Sequence, residues 1–453
     1  MKKNLRFTEI LAVGSMLFGL FFGAGNLIFP AFMGQNAGRN VWDACIGFLV
    51  TGVGIPLLSV AALGMSRSEG LLDLSSKVGK GYGYFFTCLL YLTIGPFFAI
   101  PRCASTSFSV GILPALNDRA NGEWLIWIFS LLFFAAVLFF SLKPGKLLMW
   151  VGKVLTPLFL VSLALVVVTA LIKPMGDAAT VEPTGAYETQ AFARGFLEGY
   201  NTMDVLAGLA FGIAVVSAIR QLGVQEPTAV AGNTLLSGVF GCLIMALIYA
   251  ALTLIGAQSR AIYPISADGG EALHLIASHY YGSVGAIILA VIVTLACLKT
   301  AVGLIVSCGE MFTKMFPKGP GYKFWAIGFC VISFLIATLG LSTIISFSLP
   351  VLMFLYPLAI TLTLLALVGR LFGNDRRVYI CTTVLTLPAA ILDLVTSLPT
   401  SVLPAESCAA VKEAAASVLP FSKLGLGWVC PAALGFVLGL VLHFIAKAKQ
   451  KAN

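Results

Sequence analysis

The segment that decides the fold lies in the first long apolar stretch of the chain and reads Gly19-Leu20-Phe21-Phe22-Gly23-Ala24-Gly25-Asn26-Leu27-Ile28-Phe29-Pro30. Three glycines, an asparagine and a proline interrupt a hydrophobic run that extends from about residue 8 to residue 33. Each glycine costs about 1 kcal/mol relative to alanine in a helix. In hydrocarbon, such breaks are tolerated only where protein or a water-lined cavity satisfies the freed peptide groups. We therefore expect a local unwinding here, with close packing of small residues against another helix as the alternative.

The composition of the 453-residue chain indicates that hydrocarbon is its main solvent. Apolar residues make up 59% of it and charged residues 10%, against about 25% charged residues in soluble domains. A soluble fold of this size could not hide so much apolar surface. Soluble enzymes, disordered chains and secreted disulfide scaffolds are therefore excluded. The ten cysteines include no C-x-x-C pair, so neither a metal site nor a redox pair is indicated.

Twelve apolar segments are long enough to cross a hydrocarbon core of about 30 Å. They lie near residues 8–33, 44–64, 83–112, 124–142, 147–172, 196–219, 229–256, 282–309, 324–341, 343–368, 378–398 and 428–446. If the N-terminus is cytoplasmic, 19 of the 28 Lys and Arg residues lie on the cytoplasmic side, seven lie opposite, and Arg102 and Lys299 lie within segments. This bias predicts that both termini are cytoplasmic. It also accounts for the net charge of +9 without a nucleic-acid partner.

The sixth segment contains Glu198-Gly199-Tyr200-Asn201-Thr202-Met203-Asp204 near its start. Ionisable groups inside a membrane are costly and are candidates for function. Interrupted first and sixth helices predict an inverted repeat of five plus five helices, with the binding site at the repeat interface. Within a single transmembrane domain spanning residues 1–453, the repeats would cover about 8–172 and 196–368, followed by two helices at about 378–446. The alternative starts the helix at Val205 and leaves Glu198–Asp204 in an outer loop.

These motifs resemble those of sodium-coupled transporters with the leucine-transporter fold, within the amino acid–polyamine–cation superfamily. The closer resemblance is to the bacterial branched-chain amino acid:cation symporter family. It is carried by Leu17–Pro30, Ile94–Arg102, Gly199–Asp204, Leu295–Leu298 and Thr300–Leu304. The resemblance implies an all-α, multi-pass protein of the bacterial cytoplasmic membrane that is not an enzyme. It would import leucine, isoleucine and valine with a cation, expected to be sodium, by alternating access, as a bundle of helices 1, 2, 6 and 7 rocks against helices 3, 4, 8 and 9.

The resemblance also implies which residues form the sites. The expected substrate-binding residues are Gly23, Ala24, Gly25, Tyr200, Asn201 and Thr202, with the amides of Ala24 and Gly25 on the substrate carboxylate. The expected sodium ligands are Phe21 and Asn26 at one site and Gly19, Phe22, Ala296 and Thr300 at a second. Backbone carbonyls and hydroxyl or amide oxygens are the ligands that such hard cations prefer. The expected partners are the amino acid and membrane lipid, with Na⁺ or H⁺ as coupling ion, no other cofactor and no obligatory protein partner.

Two ionisable residues within the segments add hypotheses about coupling and gating. Lys299 falls on the second sodium site, where the family has an uncharged residue. Its ammonium group would replace one sodium ion or accompany proton coupling; the alternatives are snorkelling to the cytoplasmic interface and pairing with an acid. Arg102 is expected to pair with Glu198, Asp204 or Asp393, either in an outer gate or as a structural contact.

Other classes of function stay open at this point. A passive channel or facilitator would need a continuous polar lining or a ring of carbonyl groups. A transporter-like nutrient sensor would share the same helices. An intramembrane enzyme would need a nucleophile with a base or a metal constellation, and none of the three histidines lies in the middle of a segment.

Overall fold

The computed structural model describes residues 4–23, 25–66, 68, 70–113, 122–142 and 156–452, and the described part is helical without a β-strand. The helices are α1 Phe7–Phe21, α2 Gly25–Ala37, α3 Val41–Leu49, α4 Ile55–Met65, α5 Leu71–Ser75, α6 Lys80–Leu92, α7 Ala99–Gly111, α8 Gly122–Ser141, α9 Thr156–Ile172, α10 Ala191–Glu198, α11 Asp204–Gln221, α12 Pro227–Ser259, α13 Gly269–Met315, α14 Tyr322–Ala337, α15 Leu341–Val368, α16 Arg376–Thr396, α17 Ala405–Val418 and α18 Val429–Ala452. The expected all-α class is confirmed.

Eight stretches of described helix are long and apolar enough to cross a membrane, and a bent pair in α11, Asp204–Gly212 with Ala214–Gln221, brings the number to nine. The helices Phe7–Gly19, Phe159–Ile172 and Tyr322–Ala337 are apolar but shorter. The first part of the fifth predicted segment, up to residue 155, lies outside the described residues. Twelve crossings, the repeat boundaries and cytoplasmic termini therefore stay predictions.

The first and sixth predicted segments are both interrupted, as the sequence led us to expect. The first consists of α1 and α2 with a break after Phe21. The sixth consists of α10, a 3₁₀ turn over Gly199–Thr202, and α11. The alternative of an outer loop before Val205 is wrong, because residues 199–204 are buried in the protein.

Helix α12 packs against α2 through glycines that allow backbone to touch backbone. A Cβ atom at Gly256 would lie 2.1 Å from the carbonyl oxygen of Ala31, and one at Gly34 would lie 2.0 Å from the carbonyl oxygen of Thr253. Both distances are shorter than any real contact, so only glycine fits. We call such backbone contacts at glycine the glycine seams. Small residues of this kind are the usual means by which membrane helices approach closely.

Three more glycine seams connect helices of the same group. A Cβ atom at Gly14 of α1 would lie 2.5 Å from a carbonyl oxygen of α12, one at Gly195 of α10 would lie 1.9 Å from a carbonyl oxygen of α3, and one at Gly208 of α11 would lie 2.9 Å from a carbonyl oxygen of α4. The seams described above join the first, second, sixth and seventh predicted segments, the same four that the family resemblance assigns to a rocking bundle. Another seam joins the start of α13 to α2, where a Cβ atom at Gly269 would lie 2.1 Å from the carbonyl oxygen of Ile28.

All ten cysteines are free thiols.

Candidate functional site

The break between α1 and α2 is held open by an asparagine side chain. Phe22 has an extended backbone (ψ 99°) after the last residue of α1, and α2 begins at Gly25. The Asn26 Oδ1 accepts a hydrogen bond from the backbone N–H of Gly23 at 2.8 Å. Helix ends leave peptide groups without intrahelical partners, so this break exposes polar backbone in a buried position. Ala24, which was expected to bind the substrate carboxylate, lies outside the described residues.

The break between α10 and α11 depends on a residue in the left-handed conformation. Met203 has φ +62°, unusual for a side chain of its size. The Thr202 hydroxyl donates to the carbonyl oxygen of Gly199 at 2.9 Å and accepts the backbone N–H of Asp204 at 3.3 Å. Asp204 therefore stands at the N-terminus of α11, where the helix dipole favours a negative group.

The two breaks meet in a buried hydrogen-bonded triad. The Asp204 carboxylate is 1% exposed, and its Oδ2 accepts the Asn26 amide Nδ2 at 2.7 Å and the Tyr249 hydroxyl at 3.2 Å. The Asn26 Nδ2 also contacts the Tyr249 hydroxyl. Both of these side-chain donors use Oδ2, and the Thr202 side chain also interacts with the Asp204 carboxyl group. Tyr249 belongs to α12, and nothing in its sequence context selects it.

A small, partly open cavity of about 40 Å³ lies beside this triad. Eight of the predicted site residues line it: Phe21, Gly23, Gly25, Asn26, Arg102, Thr202, Asp204 and Thr300. Its apolar wall is formed by Ile94, Ala99, Cys103, Met203, Ala207, Phe211 and Leu304. We call this space the central cavity.

Arg102 enters the central cavity opposite Asp204. It is 3% exposed, and its guanidinium carbon lies 5.1 Å from the centre of the Phe29 ring. Its Nη1 has no hydrogen-bond partner, and no ion pair between Arg102 and a carboxylate is present among the described residues. Arg102 and Asp204 interact electrostatically but form no direct salt bridge in this conformation, so the predicted pairing with Glu198, Asp204 or Asp393 stays a prediction. The cavity is lined by one buried cation and one buried acid.

Thr300 brings α13 to the break in the first segment. A Cβ atom at Gly23 would lie 3.2 Å from the Thr300 Oγ1, so only a small residue fits between them comfortably. The Thr300 hydroxyl donates to the carbonyl oxygen of Ala296, which is fully buried, at 3.0 Å. Thr300, Phe21 and Asn26 all line the central cavity described above.

Lys299 points away from the central cavity into aromatic rings. It is 3% exposed, and its Nζ lies 5.8 Å from the centre of the Phe18 ring and 5.2 Å from that of Phe159. The Nζ has no hydrogen-bond partner among the residues described. Snorkelling and pairing with an acid, the two alternatives for this residue, do not fit a buried and unpaired ammonium group. The ring faces attract the cation electrostatically.

The other predicted site residues surround the cavity without lining it. Tyr200 stacks on Tyr356 of α15 with ring centres 4.0 Å apart, and the Asn201 Nδ2 donates to Glu198 Oε1 at 3.3 Å. The Phe22 ring packs against Phe18, Phe159 and Tyr249. Gly19 lies in the last turn of α1. These residues therefore lie outside the lining of the central cavity.

The sequence matches the family described as "Branched-chain amino acid transport protein" over residues 6–446. The branched-chain amino acid permease BrnQ of Lactobacillus delbrueckii subsp. lactis is 51% identical over 449 residues, which cover 99% of this chain and 100% of the relative. BrnQ of Bacillus subtilis is 41% identical over 442 residues, 98% of each chain. The branched-chain amino acid transport system 2 carrier protein of Pseudomonas aeruginosa is 39% identical over 438 residues, 97% of each.

Two solved transporters have a similar fold. Mhp1, a nucleobase-cation-symport-1 family transporter with bromovinylhydantoin bound, matches 98% of this chain and 95% of its own with a TM-score of 0.59 and 13% identity. MhsT in complex with L-phenylalanine matches 97% of this chain and 98% of its own with a TM-score of 0.56 and 15% identity. These likenesses establish the leucine-transporter type of fold. The match over residues 6–446 and the relatives that are 39–51% identical show that the chain belongs to the branched-chain amino acid transport protein family, whose members are membrane transporters and not enzymes.

Proposed function

We propose that this protein imports leucine, isoleucine and valine across the bacterial cytoplasmic membrane together with a cation. The observation that carries the proposal is the central cavity, which forms where two broken helices meet and contains one buried carboxylate and one buried guanidinium. A zwitterionic amino acid would satisfy both charges at once. The names of the relatives, which are branched-chain amino acid permeases and carriers, agree with this substrate class.

The substrate carboxylate would bind where α2 begins. Gly25, the first residue of α2, is so close to Arg102 that a Cβ atom there would lie 3.1 Å from its Nη2. The N-terminus of a helix carries a partial positive charge and free N–H groups. A guanidinium next to such an end makes a specific site for a carboxylate. The substrate ammonium would then interact with the Asp204 carboxylate, which lines the same cavity.

The aliphatic side chain of the substrate would lie against the apolar wall of the central cavity. Ala99 of α7 and Ile94, just before α7, form one part of that wall. Ala207 and Phe211 of α11 and Leu304 of α13 form the rest. One methylene in an apolar pocket changes binding by about 1–3 kcal/mol. We therefore expect leucine, isoleucine and valine to compete with similar affinities, and glycine to bind much more weakly.

Coupling to sodium would use the oxygens at the cavity edge and the charge of Lys299. One sodium ion would bind near Phe21, Asn26 and Thr300, beside the substrate carboxylate. Because each ligand would then raise the affinity of the other by the same factor, transport of the two would be linked. Lys299 lies next to the C-terminal end of α1, where a positive charge is favoured. Its ammonium would replace the second sodium ion expected from the family.

Uptake by the purified protein in proteoliposomes tests the proposal. Radiolabelled leucine is expected to accumulate above its external concentration when an inward sodium or proton gradient is applied, and each gradient is imposed alone to identify the coupling ion. Equilibration without accumulation would indicate a passive facilitator. Absence of leucine flux under both gradients would indicate a sensor.

A matched pair of tyrosine variants connects this uptake to the triad. Tyr249→Phe keeps the ring contacts and removes the hydroxyl that donates to the buried Asp204 carboxylate at 3.2 Å. A hydrogen bond to a charged group contributes about 1.5–3 kcal/mol, so we expect leucine uptake to fall at least about tenfold. Tyr91→Phe removes another buried hydroxyl, which donates to the carbonyl oxygen of Ala210 at 3.0 Å outside the central cavity, and should leave leucine affinity unchanged. Equal losses in the two variants would contradict the role of the triad.

A further inference from the structure

A second cavity lies outside the Tyr200–Tyr356 stack. It has a volume of about 340 Å³ and lies between α10, α15, α16, α17 and the segment that leads into α18. None of the residues that line it belongs to the central cavity. We call it the peripheral cavity.

The peripheral cavity contains a buried carboxylate with one oxygen that has no hydrogen-bond partner among the described residues. Asp393 of α16 lines it, is 7% exposed, and has no hydrogen-bond partner for its Oδ2 among the described residues. A buried and unpaired carboxylate is costly. A cationic group of a ligand would remove that cost. The natural complement is an ammonium group or another organic cation.

The same cavity has basic side chains and an apolar wall. Arg194 of α10, Lys412 of α17 and Lys423 line it together with Asp393. The side chains of Leu197, Met353, Leu392, Ala415 and Leu424 form its apolar part. One acid, several bases and an aliphatic surface correspond to the three parts of an aliphatic amino acid: ammonium, carboxylate and side chain. A simple cation would leave the bases unused, and a simple anion would leave Asp393 unpaired.

We infer that the peripheral cavity is a second binding site for a zwitterionic aliphatic amino acid, with Asp393 on its ammonium group and Arg194 and the two lysines on its carboxylate. The inference uses the substrate class of the proposed function, but the site is separate from the central cavity. An amino acid bound there bridges α10, the first half of the broken sixth segment, to α16.

Residues next to the peripheral cavity connect it to the stacked rings of Tyr200 and Tyr356. The hydroxyl of Tyr200 and the indole Nε1 of Trp428 are also buried, and Tyr200 is close enough to both Trp428 and Asp393 to interact with them. At Gly425, with φ +72°, the chain passes so close to Leu197 of α10 that a Cβ atom would lie 2.6 Å from its Cδ1. Occupation of the peripheral cavity therefore acts on the same turn of chain that borders the central cavity.

Equilibrium binding of radiolabelled leucine to the purified protein in nanodiscs tests the inference. The wild type is expected to bind two leucines per protein, and Asp393→Asn one. Ala186→Trp places a large ring into the peripheral cavity from an exposed position on its rim and should also bind one. Ala414→Trp, on an exposed position of α17 that does not line this cavity, is the control and should bind two. Leucinamide and 4-methylpentanoate, which lack one charge each, should not displace the second leucine.

The outcomes separate this inference from the proposed function. If Asp393→Asn and Ala186→Trp bind as much leucine as the wild type, the peripheral site is refuted and the central site stands. If Asp204→Asn binds as much as the wild type while Asp393→Asn binds none, the peripheral site stands and the central one fails. Displacement of the second leucine by leucinamide would refute the role of the basic residues.

Discussion

Replacing Asp204 by asparagine keeps the size of the side chain and removes its charge. In the wild type, the carboxylate is 1% exposed and its Oδ2 holds Asn26 and Tyr249, so the substrate ammonium would be paired in a fully desolvated position. Removing one partner of a buried, hydrogen-bonded charge pair costs about 2–5 kcal/mol. The affinity for leucine should therefore fall about 30- to 4,000-fold.

The assay compares two ligands so that a change in the ammonium contact is distinguished from a general disturbance. Leucine and 4-methylpentanoate differ only in the ammonium group. Competition binding with the wild type gives the contribution of that group, and the preference for leucine over 4-methylpentanoate should disappear in Asp204→Asn. Thermal unfolding of the variant in detergent serves as the folding control. The reasoning is refuted if both ligands lose the same affinity, or if leucine binds to the variant as it does to the wild type.

Three further predictions concern other parts of the molecule. Lys299→Met should lower leucine uptake at least about tenfold, because the proposed coupling uses the ammonium group. It should raise the melting temperature, because it removes a buried, unpaired charge. Unchanged uptake would show that the ammonium group has no part in coupling. Gly256→Ala should lower the free energy of unfolding by about 1–3 kcal/mol through overpacking, whereas Gly232→Ala in the same helix, with nothing within 4 Å of its Cβ position, should be neutral or slightly stabilising in the same thermal assay. Partial burial raises the pKa of Asp375. The backbone N–H of Arg377 and the His443 ring, whose Nδ1 lies 2.7 Å from the Asp375 Oδ2, lower it by more, so the pKa lies below its usual value. Asp375→Asn should therefore lose roughly 0.2–1 kcal/mol at pH 7, and its difference from the wild type should vanish as the pH falls below about 4.

The sequence identified both helix breaks because breaks are a property of the local backbone. Glycine, proline and asparagine act on the residues next to them, so Gly23, Gly25 and Asn26 predict an unwound segment without knowledge of the fold. The same reasoning selected Thr202 and Asp204. The family resemblance, which depends on these motifs, is confirmed across the chain.

The partners of these residues were not predictable, because they come from distant parts of the chain. Tyr249 is 223 residues from Asn26, and a single tyrosine in the 33-residue helix α12 looks like an ordinary core aromatic. Arg102 was expected to find an acid, but the packing of α7 directs it to the Phe29 ring and the start of α2. A buried charge must interact with some group that stabilises it. The sequence does not say whether that group is a charged side chain, an aromatic ring or a ligand.

The glycine seams have a consequence for movement. Where two helices touch through their main chains, with no side chain between them to change rotamer, they cannot slide or roll past each other without separating entirely. The group formed by α1, α2, α3, α4, α10, α11 and α12 should thus turn as one solid piece, together with the start of α13 that Gly269 joins to α2. Spin labels placed on two of its members would keep their separation through the transport cycle, and the hinges would have to be sought in the loops that leave this group.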